Sequence, residues 1–145
     1  MIGDMSEIAA LRDVANGNAG TAFALARYCL DAVDRGEADP LIGTIEALTF
    51  ARIAGATGDL KGLGCVISTC ARLVDILDGA DCQAIANHYR AEAIAISDLA
   101  ADTLPLEESD FITSTLTLAA DKANPETMQI AAMHRDTWAE AFTNP

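Results

Sequence analysis

Aromatic side chains make up only 5% of this 145-residue chain, with one Trp, two Tyr and four Phe. That scarcity argues against a core filled by large rings. The many alanines suit helices that approach closely over small side chains instead. Basic residues are also few: nine Lys and Arg stand against 22 Asp and Glu, giving a formal net charge of −13. Nucleic-acid affinity comes largely from Lys and Arg neutralising phosphates, so direct binding to DNA or RNA is not expected. An anionic membrane surface is disfavoured for the same reason, whereas a basic protein or a divalent cation would be attracted. Solubility alone is the simpler use of such a charge.

Other absences narrow the field further. Every long apolar stretch is interrupted by charge, so the sequence predicts no membrane-spanning segment. Met1 to Ala10 has neither the basic start nor the apolar run of a signal sequence. The cysteines, Cys29, Cys65, Cys70 and Cys82, fall inside helical patterns and form no C-x-x-C pair. Cys65 and Cys70 stand five apart, about 140° round a helix, so they do not share a face. They read as small core residues in a reducing, cytoplasmic setting. Phosphate loops are missing as well: Lys61 is not part of a Gly-Lys-Ser/Thr, and Gly62-x-Gly64 lacks a third glycine and a preceding strand. No serine occupies a Gly-x-Ser-x-Gly elbow. No catalytic residue and no cofactor are assigned.

What is present is helical periodicity. Asp4-x-x-Glu7 has the form of a capping box and opens a short helix to about Ala15. From Ala19 to Arg35, Ala22, Leu25, Ala26, Cys29 and Val33 recur on one face, while Arg27, Asp31 and Arg35 form an i,i+4 charge ladder. Asp39 then stands as an N-cap before Pro40, a strong start signal. The next helix carries the small stripe Ala47, Ala51 and Ala54 beside Ile45, Leu48 and Ile53, and Gly58 closes it before Asp59 caps its successor. Leu60, Leu63, Ile67, Cys70, Val74 and Leu77 are spaced 3, 4, 3, 4, 3, a seam that requires another helix. After Gly79, Asp81 is expected to cap a helix with Cys82, Ile85, Ala86, Tyr89, Ala93, Ile96 and Ala100 inward. Thr103 to Asp110 is the clearest loop. A helix with many β-branched residues follows over Phe111 to Lys122, and Asn124-Pro125-Glu126 starts the last one.

Two blocks carry a family resemblance. Gly17-Asn18-Ala19 followed by Ala22, Phe23, Leu25 and Ala26 resembles the opening helix of the tetratricopeptide-like repeats of the Sel type. Glu46-Ala47-Leu48, Phe50, Arg52, Ala54 and Gly58-Asp59 are similar to that family's second helix. The match covers about residues 17 to 59. It implies stacked helical hairpins in which an aromatic wedges between repeats, and a role as an adaptor that holds partner proteins.

The remaining chemistry is sparse. His88 and Glu92 stand i,i+4, a spacing that can present two ligands to one metal, but no Glu-x-x-His pair completes such a site. His134, near Ile130, Ala131 and Trp138, reads as a partly buried, hydrogen-bonded histidine. Acidic residues gather at three breaks: Asp31, Asp34, Glu37 and Asp39; Asp75, Asp78 and Asp81; and Asp98, Asp102, Glu107, Glu108 and Asp110. Several lie in last helical turns, where the macrodipole disfavours a carboxylate by a few tenths of a kcal/mol. The first group is the candidate partner-binding rim. The sequence thus predicts a single all-α domain of about seven helices, antiparallel hairpins stacked as a short repeat-like right-handed array, with a closed bundle as the alternative. The expected function is a non-enzymatic protein-interaction module with a basic protein partner. The alternative is a ligand-binding or metal-dependent helical enzyme using His88 and Glu92.

Overall fold

The computed structural model describes residues 19–56, 60–100 and 124–143. Every regular element among them is an α-helix: α1 (Ala19–Asp34), α2 (Pro40–Ala56), α3 (Leu60–Gly79), α4 (Gln83–Ala100) and α5 (Pro125–Thr143). The all-α expectation holds for these residues. The capping box at Asp4, the Gly17-Asn18 and Gly58-Asp59 junctions, the 103–110 loop and the 111–122 helix lie outside the described residues. Contacts sort the chain into two compact units, Met1–Val66 and Ile67–Pro145. Their boundary falls inside the unbroken α3, where the sequence has no linker signal.

In the first unit α1 and α2 form a packed antiparallel hairpin. The chain leaves α1 through a closed turn: Gly36 N–H donates to Val33 O at 3.0 Å and Glu37 N–H to Ala32 O at 2.9 Å. This is the Schellman pattern, and it places Gly36 at φ +74°, where a side chain would be strained. Asp39 then caps α2, its Oδ2 accepting from Ile42 N–H at 2.8 Å, and Pro40 is the first helical residue. The alanine stripe of α2 is fully buried, as are Ala22 and Ala26 of α1. Small residues permit close packing at two further points. A Cβ added to Gly43 would come within 2.5 Å of Val33 Cγ2, and one on Gly62 of α3 would meet the backbone of Gly55 and Ala54 at 2.6 and 2.7 Å. The larger residues beside the stripe divide: Leu48 is buried, Ile53 half-buried and Ile45 exposed. Phe50, the aromatic of the repeat-like pattern, is buried.

In the second unit the seam of α3 is buried from Ile67 through Cys70 and Val74 to Leu77, and Thr69 and Leu73 widen it. The helix then ends differently from the expectation. Asp81 does not cap α4; it closes α3, with φ +59°, its N–H donating to Asp78 O at 3.2 Å while Cys82 N–H donates to Leu77 O at 2.8 Å. Gly79, two residues earlier, is the last residue of the helix, so the left-handed position falls on an aspartate. Cys82 takes the N-cap place instead, its carbonyl accepting from Ala86 N–H. Since a non-glycine residue is strained there, Asp81→Gly should stabilise the chain by about 0.5–1 kcal/mol, and Gly36→Ala should destabilise it by a similar or larger amount. Urea midpoints of the two variants check both signs.

The first turn of α4 is exposed, including Ile85, which the periodicity had placed inward. Burial sets in at Ala86, and from Arg90 to Ser97 all eight residues are buried, so this stretch has no solvent face. α5 packs on α4, with Ala131 and Ile130 against Ala91 and Ile94. Its inward residues Thr127, Ala131, His134 and Trp138 repeat the 4, 3, 4 rhythm of a helix seam. Asn124 caps α5: Oδ1 accepts from Thr127 N–H at 2.9 Å and from the Thr127 hydroxyl at 3.0 Å. Thr127 Oγ1 in turn accepts from Asn124 N–H at 3.3 Å, a reciprocal box.

Candidate functional site

The acidic residues at the α1–α2 break are exposed as a group: Asp31, Asp34, Glu37 and Asp39 all face solvent. They are not equally available. Arg27 Nη2 reaches Asp31 at 3.8 Å and Arg35 Nη2 reaches Glu37 at 3.3 Å, while Asp39 gives one oxygen to its cap. Two arginines therefore offset part of the charge, and each such exposed pair contributes little to stability, under about 1 kcal/mol. Just past the cap, Ile42 is 67% exposed and Ile45 follows one turn on, so large apolar surface adjoins the acidic turn.

The second acidic group is not a uniform rim. Asp75 is exposed and Asp81 forms the turn, but Asp78 points inward, its Oδ2 accepting from Arg90 Nη2 at 2.9 Å. Arg90 is 2% exposed, and its Nη1 donates to Asn87 Oδ1. These residues, with Gln83 and Asn124, line a pocket of about 320 Å³. Sequence reasoning missed Arg90. Its signal is a charged residue opening the run Ala91 to Ile96, in a helix whose apolar positions exceed what one face can hold.

His88 and Glu92 occupy different surroundings despite their i,i+4 spacing. His88 is exposed, but Glu92 is 2% exposed, with Oε2 accepting from Trp138 Nε1–H at 3.3 Å. The same all-round burial of α4 that draws in Arg90 draws in Glu92, so the two side chains do not form an exposed helix-surface pair. His134 of α5 is half-buried. Among the described residues no group of three or more His, Cys, Asp or Glu side chains could hold a metal ion. Three of the four cysteines are buried and all are free thiols. Among the same residues no helix is long and apolar enough to cross a membrane.

No family model matches the chain, and neither a curated protein nor a solved structure matches it.

Proposed function

We propose that the chain is a non-enzymatic protein-interaction module, working in the cytoplasm, that presents the α1–α2 end to a basic partner. One observation carries this reading: four carboxylates, Asp31, Asp34, Glu37 and Asp39, are exposed around a single short turn, directly beside the exposed Ile42 and Ile45. A cationic segment with apolar side chains would match both features, the charges guiding encounter and the isoleucines supplying contact area. The likeness of residues 17 to 59 to Sel-type repeats supports the same role, because such hairpins commonly hold partner proteins. A further support is mechanical. The turn is fixed at both ends, by the Gly36 closure and the Asp39 cap, so little ordering entropy opposes binding there.

Association with a basic partner protein should weaken steeply with added salt, since exposed charges are screened beyond a Debye length of about 8 Å at physiological ionic strength. Changing Asp31, Asp34 and Asp39 to Asn and Glu37 to Gln should lower the affinity while leaving helicity nearly level, because Asn still caps α2. Titrations at low and high salt, with and without these substitutions, check it. Affinity indifferent to both would overturn the reading.

A further inference from the structure

The pocket in the second unit offers a separate kind of recognition. It lies where the last turn of α3 brings Asp78, the opening turns of α4 bring Gln83, Asn87 and Arg90, and the cap of α5 brings Asn124. Its hydrogen-bonding groups are unevenly used. Asn87 Oδ1 is taken by Arg90, Asn124 Oδ1 by Thr127, and Asp78 Oδ2 by Arg90. What is left over is mostly N–H: the Nδ2 groups of Asn87 and Asn124, and above all Arg90 Nε, which is buried and has no hydrogen-bond partner among the described residues. A buried guanidinium N–H without an acceptor is a costly group that native structures rarely leave unsatisfied.

We propose that this pocket binds the carboxylate of a small organic acid. The donors that remain require acceptor oxygens, and a planar carboxylate can meet a guanidinium edge and a carboxamide together. The starts of α4 and α5 add partial positive charge at the same place. Asp78 balances the Arg90 charge, so at the contact itself a carboxylate group, with one charge, is favoured over a phosphate group that concentrates up to two. The pocket is about ten times the roughly 30 Å³ share of one water in the liquid, so it accommodates more than the carboxylate itself. The net charge of −13 opposes any anion at long range, an effect that falls off beyond a Debye length of about 8 Å at physiological salt. This site is independent of the acidic turn in the first unit, and either proposal can fail alone.

The test is a titration of the full chain with sodium succinate and, separately, sodium phosphate, each against sodium chloride at matched ionic strength. It is followed through the arginine Nε–H and carboxamide resonances in ¹⁵N-edited NMR spectra. Succinate is expected to shift the Arg90 Nε–H and the Asn87 and Asn124 side-chain amides in one saturable process, with phosphate weaker. Asn124→Asp keeps an N-cap of equal quality but replaces an amide donor with a negative charge. It should fold normally and lose succinate affinity by tenfold or more, about 1.4 kcal/mol. Gln83→Ala, at an exposed position, should give a smaller loss. Silence of these resonances to succinate, a response to phosphate alone, or unchanged binding in a folded Asn124→Asp would each overturn the proposal.

Discussion

Asp78→Ala is expected to destabilise the chain by about 3–5 kcal/mol, far more than a half-buried carboxylate at a helix end would suggest, because it strands the buried Arg90. Two effects compete. Removing a negative charge from the last turn of α3 relieves the macrodipole by about 0.3–1 kcal/mol. Leaving a guanidinium 2% exposed without its counter-charge costs several times that, so the net sign is unfavourable. Replacing both partners, with Asp78→Leu and Arg90→Met, should recover most of the loss, since an apolar pair of similar volume has no ion to desolvate. Urea denaturation of the two single variants and the double variant yields the coupling energy. A loss below about 1 kcal/mol in Asp78→Ala would show that the pair behaves like an exposed one.

Ile67→Asp is expected to cost as much or more, on the order of 5 kcal/mol, enough to unfold a domain of ordinary stability. Ile67 is fully buried in the middle of the α3 seam. The substitution forfeits roughly 1.5–3 kcal/mol of apolar burial and adds the desolvation of a carboxylate with no designed partner. Ile67→Val, which removes one methylene, should cost only about 0.5–1.5 kcal/mol and serves as the control for cavity formation. Thermal melts read both, and an unchanged midpoint for Ile67→Asp would mean that the seam admits water.

The helices were legible because their signals are local. Asp39-Pro40 and Asn124-Pro125 each combine a cap side chain with a residue that fits only the first turn, and both start a helix where expected. The seam of α3 was legible because its 3, 4 spacing matches a single buried face. Where burial is not one-sided, periodicity loses its meaning. Eight consecutive residues of α4 are buried, so no spacing in that stretch distinguishes in from out, and only their partners Asp78 and Trp138 reveal that Arg90 and Glu92 belong to the interior. Asp81 was misread for a different reason. A helix end and the next helix start lie within four residues, and an aspartate suits either the N-cap or a left-handed turn. The choice was made by the closing hydrogen bonds to Asp78 and Leu77, which no residue type announces.

The stretch from Arg90 to Ser97 also sets how the second unit should exchange its amide hydrogens with solvent. In a one-sided helix the outer amides are released by small local openings, and their protection reports fraying rather than unfolding. A helix segment buried on every side has no such outer row. Protection along it should be nearly uniform, without the 3.6-residue ripple of an amphipathic helix, and should track the full unfolding free energy of the unit that contains it. These amides would then serve as a built-in gauge: any ligand that occupies the adjoining pocket and binds only the folded state should slow all of them together, by the factor its concentration and affinity dictate.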